Sequence, residues 1–202
     1  MKAGKRKLMA ALMVATAIAF PIGVVNATTT NINATATFLA AITLTGSNMV
    51  FSKVIYSAAP TVAGDFVKVG TNGAATYGGV FSAGPGAATS AGDVTLTAGT
   101  NGQTIEVRCD ITATMTNGAG ASIDVTDIEV NKEDATAAHG SGANCLGTGG
   151  AAATTLVLNL GTLDSFKLGG MVDGSTAAAW AGGSFSTANA GGNDIQVDVV
   201  YN

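Results

Sequence analysis

The sequence predicts an all-β, single-domain antiparallel β-sandwich. Three observations carry that expectation. Of the 202 residues 28 are Gly and 3 Pro, and only 11% are charged, against roughly 25% charged in an average soluble domain. The apolar content is mostly Ala and Val, since aromatics reach only 5%. Short Val/Ile/Thr runs with period-two alternation recur between Gly-rich breaks, as they do in sandwiches. Gly in place of helix formers argues against a helical bundle.

Residues 1–27 read as a cleaved secretory signal. Lys2, Lys5, Arg6 and Lys7 form a positive start, Leu8 to Val25 an apolar stretch interrupted by Pro21, and Val25-Asn26-Ala27 a small-residue cleavage site. The alternative is a membrane anchor, which Pro21 and the cleavage pattern oppose. Four of the nine basic residues leave with this segment and none of the thirteen acidic ones does, so the remaining chain carries five against thirteen, a net of −8. The five basic residues are scattered, which excludes the footprint of a nucleic-acid binder.

Residues 28–40 form an N-terminal arm or first strand, and 41–202 the sandwich. Thr28–Phe38 carries no charge and alternates at Ile32, Ala34, Ala36 and Phe38 with Asn and Thr between. The next strand runs are expected at Thr35–Thr45, Met49–Tyr56, Asp65–Val69 and Asp93–Thr97. The cleanest alternation is Ile105, Val107, Cys109, Ile111, with Glu106, Arg108 and Asp110 between. It gives one buried and one wet face.

Ser122–Val130 changes its apolar phase between Val125 and Ile128, which a β-bulge would explain. Thr154–Leu160 puts Leu156, Leu158 and Leu160 on one face, and Ser165–Leu168 follows. Gly70–Gly79, Ser82–Gly92, Ala135–Ala153 and Gly169–Gly192 read as breaks. The closing run is Ile195, Val197, Val199 and Tyr201. A patterned strand at a chain end needs something to pair with, since termini otherwise fray.

Cys109 and Cys145 are the two cysteines, and in an exported chain they read as a disulfide. A zinc site lacks ligands, with one His (His139) in the chain and no Cys-x-x-Cys. The acidic group Asp124, Asp127 and Glu129, continued by Glu133 and Asp134, offers oxygen ligands of the kind Ca²⁺ takes. Its spacing is not that of an EF-hand, and the other reading is the wet face of a strand entering a turn. The search for catalysis finds no nucleophile elbow, zinc-protease pair, phosphate loop or dinucleotide fingerprint. The expectation is a non-enzyme without cofactor.

Several stretches carry a family resemblance. Met49-Val50-Phe51-Ser52-Lys53-Val54, after Ile42-Thr43-Leu44, resembles a "Leu-x-Phe-Gly-x-Ile" element of small exported bacterial sandwiches, with Ser52 where that element has Gly. Thr104–Cys109 with Thr112–Met115 resembles their middle strand. Phe166-Lys167-Leu168-Gly169-Gly170-Met171 and the end, Ile195 to Asn202, resemble two further elements. Together they resemble the exported family catalogued as domain of unknown function 4402 and, more distantly, the pilin-like domains of chaperone–usher fibres and spore-coat protein U.

The resemblance implies an Ig-like, pilin-like sandwich that serves as a structural subunit of a bacterial surface filament. It implies neighbouring subunits as homopolymer partners, with a periplasmic chaperone and outer-membrane machinery for assembly. In such families a neighbour's N-terminal extension completes the sheet by strand addition, and Thr28–Phe38 is the matching donor. The rival expectation is a monomeric secreted adhesin or carbohydrate-binding module, with Trp180 or Tyr77 stacking on a sugar ring.

Overall fold

The computed structural model describes residues 36, 38–162 and 164–202. The signal at 1–27 and the donor positions Ile32 and Ala34 lie outside the described residues. The strands are β1 (Thr43–Ser47), β2 (Val54–Tyr56), β3 (Phe66–Val69), β4 (Ala75–Gly78), β5 (Phe81–Ala83), β6 (Gly92–Ala98) and β7 (Thr104–Cys109). They continue as β8 (Ala113–Thr116), β9 (Ser122–Lys132), β10 (Ala143–Asn144), β11 (Thr154–Val157), β12 (Ser165–Ala178) and β13 (Val197–Tyr201). All pairings are antiparallel, and no α-helix occurs among the described residues.

The spine of the large sheet is β12. One edge carries β6 and then β3, end to end, and the other carries β9. Outside these lie β1 on β6, β4 on β3, and both β8 and β10 on β9. The smaller sheet has the order β11-β7-β13, and β2 pairs with β5 apart from both. Val67, Leu96, Ile123, Val125, Ile128 and Phe166 of the large sheet pack in one core with Ile105, Val107 and Leu156 of the small one.

The alternation in β7 holds through Cys109, and Ile105, Val107 and Cys109 are wholly buried. It fails at Ile111, expected on the same face but exposed. The strand ends because the chain must cross to the large sheet to form β8. Asp110 marks the exit, with its N–H on the Gln196 carbonyl and its carboxylate accepting from the Gln196 N–H.

The phase change in β9 is a bulge. Gly169 faces Glu129 and Met171 faces Thr126, so three steps on β9 oppose two on β12. Asp127 takes up the extra residue at φ +47°.

The break expected at Gly169–Gly192 begins instead as β12, which runs unbroken through Gly169-Gly170 to Ala178. These glycines serve close approach rather than a turn. A Cβ on Gly169 would lie 2.6 Å from the Val69 carbonyl oxygen, and one on Gly170 would lie 3.0 Å from a Val125 methyl. Glycine here lets backbone and side chain approach closely across the strand. The short strands β4, β5 and β10 also lie where the sequence suggested breaks or nothing, and Thr112–Met115, read with Thr104–Cys109 as one middle strand, overlaps β8 of the other sheet.

Cys109 and Cys145 form the expected disulfide, with Cα atoms 5.1 Å apart. It ties β7 of the small sheet to the residue after β10 of the large one. Closing a loop of 36 positions stabilises by about 3–4 kcal/mol in the chain-entropy model.

Candidate functional site

The residues of β13 are only half covered. Val197, Val199 and Tyr201 point toward the core and pack on it, yet each keeps part of its surface exposed. Their counterparts on β7 are wholly buried. The difference follows from position. One edge of β13 pairs with β7, from Val197 opposite Cys109 to Tyr201 opposite Ile105. The other edge pairs with no strand among the described residues.

Beside this edge the sandwich opens into a cleft of about 1120 Å³. Its deepest lining, Ile123 and Val125 from β9 and Leu168 and Val172 from β12, is already covered, and the accessible apolar surface comes from half-buried Leu44, Met49, Phe51, Met115 and Ile195. One wall is β1 with the Asn48–Val54 stretch, and the other is Ile195, Val197 and the 182–188 segment. The lining is mainly apolar. Lys53, Asp93 and Asp194 are the charged residues among it. Asp93 is held by Lys167 at 2.7 Å. That hydrogen bond, aided by the attraction of Asp93 and Glu133 and opposed by burial, raises the Lys167 ammonium above its ordinary pKa.

The 182–188 wall is pinned to β8. Thr116 and Ser186 exchange backbone hydrogen bonds, and the Asn189 amide donates to the carbonyls of Thr116 and Ser184. Thr187 donates from its hydroxyl to Asp194 just before β13. At this end Trp180 sits among aromatic rings. Phe185 stacks on it at 5.1 Å between centroids, and Tyr56 and Phe81 meet it edge-on at 5.3 and 6.1 Å. A sugar ring stacking on Trp180 would compete with Phe185 for that face. Tyr77, the other candidate for sugar stacking, lies in β4 and packs against the core.

The opposite wall turns at Ser52, at φ +66°. This is the position at which the resembled element has Gly, the residue that adopts this conformation without strain. Ser52 offsets part of the strain through its hydroxyl, which accepts from the Ala88 N–H at 2.6 Å.

At the far end of β13, the Tyr201 hydroxyl donates to the Ala40 carbonyl and accepts from the Thr100 N–H, both at 2.7 Å. The Ala40 N–H donates to the Thr100 hydroxyl at 2.7 Å. Beyond this anchor Phe38 is 91% exposed, and Ala36 is exposed too.

The three carboxylates considered for calcium have separate roles. Asp124 accepts from the Thr114 hydroxyl at 2.7 Å. Asp127 is the exposed bulge residue, whose carbonyl lies 3.1 Å from His139 Nε2. Glu129, expected on a wet face, is 1% exposed, because the 137–142 loop folds over it. Its Oε2 accepts from the N–H groups of Gly140 and Gly142, both at 2.9 Å. Among the described residues no group of three or more His, Cys, Asp or Glu side chains is arranged to hold a metal ion.

The cleft and the aromatic cluster were not foreseen from the sequence. Alternation in Ile195–Tyr201 reads the same for an edge strand as for a central one. No family model, curated protein or solved structure matches the chain.

Proposed function

We propose that the chain is a structural subunit of an extracellular filament or pilus-like surface fibre, exported by a bacterium and assembled by strand addition between subunits. The observation that carries this reading is the edge of β13 that no strand among the described residues pairs, beside a mainly apolar cleft. An extended segment laid along that edge would hydrogen-bond to the β13 backbone and lower alternate side chains into the cleft, against its half-buried apolar lining. Each apolar side chain so buried contributes roughly 1.5–3 kcal/mol when it is the size of Ile or Phe. The unpaired edge is otherwise a liability for a soluble domain.

The 28–38 arm has the required chemistry, being uncharged and alternating at Ile32, Ala34, Ala36 and Phe38. A head-to-tail contact of this kind uses different surfaces on its two sides. It need not close, and it propagates as a fibre. Size-exclusion chromatography of the mature chain (residues 28–202) at rising concentration tests the reading. A growing series of larger species is expected, and a monomer unchanged into the high micromolar range contradicts it.

A further inference from the structure

The structure supplies an unusually exposed ring and, elsewhere on the same molecule, an open aromatic seat. From these we infer that Phe38 of one copy is the anchor side chain of the contact between subunits, and that it docks against Trp180, Phe185 and Tyr56 of a second copy. The inference rests on the strand-addition reading and names its partner and contact point.

Distance decides between the molecule's own seat and another's. Ala40 is fixed beside Thr100 and Tyr201. The seat lies toward the other end of β13, where Phe185 is followed by Thr187, itself bonded to Asp194. The same holds along β1. Thr43, near the anchor, pairs with Ala98, whereas Ser47, in the cleft wall, pairs with Asp93. The four strand steps of β13, from Val197 to Tyr201, span about 13 Å at roughly 3.3 Å each, and the seat lies beyond the Val197 end. Two residues of chain from Ala40 to Phe38 reach at most about 7 Å. Phe38 therefore cannot enter its own seat, and a second copy must supply it.

The chemistry of the two surfaces matches. Phe38 is the largest apolar side chain of the arm and at 91% the most exposed of the exposed large hydrophobics. The seat presents three ring systems, and Tyr56 is itself 41% exposed. Aromatic side chains buried at the centre of an interface are its usual energetic anchors. With Phe38 at the Asp194 end, the rest of the arm runs toward Tyr201 of the receiving copy, antiparallel to β13. Ala36 then follows along the cleft.

The test uses the mature chain with a photo-crosslinking phenylalanine analogue in place of Phe38, irradiated under assembling conditions, together with Phe38→Ala and Phe38→Leu. The dimer band should yield a crosslinked peptide containing Tyr56, Trp180 or Phe185, and the monomer band none. Because Phe38 is exposed, Phe38→Ala should keep the wild-type melting temperature. It should raise the concentration needed for assembly about thirtyfold, as for loss of a hot-spot side chain, with Phe38→Leu between. Crosslinks to other surfaces, crosslinks within the monomer, or unchanged assembly of Phe38→Ala would each overturn the anchor while leaving strand addition standing. Absence of assembly in the wild-type chain overturns both.

Discussion

The hydroxyl of Tyr201 donates a hydrogen bond to the carbonyl of Ala40 at 2.7 Å, joining residues 161 positions apart. The same oxygen accepts from the Thr100 N–H. One phenol thus ties the final strand of the small sheet to the chain entering β1 of the large one. It also fixes Ala40, three residues before β1.

Tyr201→Phe keeps the ring and removes both bonds. At roughly 0.5–1.5 kcal/mol per bond, a loss of about 1–3 kcal/mol is expected in urea unfolding. Hydrogen exchange should quicken at the Thr100 amide, while the Val107 amide, deep in β7, stays protected. Equal protection at Thr100 in both proteins would show that the anchor holds without the hydroxyl.

Glu129 holds the 137–142 loop against the outer face of β9 through two glycine N–H groups. Glu129→Ala removes the acceptor of both hydrogen bonds, and at roughly 0.5–1.5 kcal/mol per bond a loss of about 1–3 kcal/mol is expected. Glu129→Gln keeps one acceptor oxygen and should lose less. Protease cleavage within residues 137–142 should become faster in the order wild type, Gln, Ala. Equal rates would remove the clamp role.

Ser52 carries a left-handed backbone in the cleft wall. Replacement by Gly or Ala removes the same hydrogen bond to Ala88, but only Gly removes the steric cost, roughly 1–2 kcal/mol for a residue with Cβ. The higher backbone entropy of an unfolded Gly takes back part of this gain. Ser52→Gly should therefore be the more stable of the two variants by about 1 kcal/mol in chemical denaturation. The reverse order would contradict the backbone assignment.

Asp65 caps the turn before β3. The Thr61 N–H, and with it those of Val80 and Val62, holds the carboxyl below its ordinary pKa against the opposing effect of burial. With the folded-state pKa depressed, the stabilisation is present above the unfolded value of about 4. It is lost as pH falls through the lower folded value. Asp65→Asn should flatten the decline of melting temperature below about pH 4. An unchanged acid limb would place the acid sensitivity in other carboxylates.

Much of the architecture is legible in the residues. Alternation marked β7 and β13, though Ile111 and Ile195 at its outer ends lie outside the strands, and the slip between Val125 and Ile128 marked the bulge at Asp127. The cysteine pair was readable because the chain has two cysteines and reads as exported. Other features depend on neighbours distant in sequence. Gly169 and Gly170 look like a turn until Val69 and Val125 crowd them from either side. Glu129 looks solvated until a loop eight or more residues later covers it. The cleft is the hardest case, because it arises where no described strand flanks β13, and alternation within β13 does not record that.

Strand addition is tested most directly by negative-stain electron microscopy of the purified chain of residues 28–202 beside a variant lacking Thr28–Phe38, at equal concentration. The proposal predicts fibres from the intact chain, and from the deletion variant either folded single subunits or amorphous aggregates. Fibres of unchanged form and abundance from the deletion variant would contradict it.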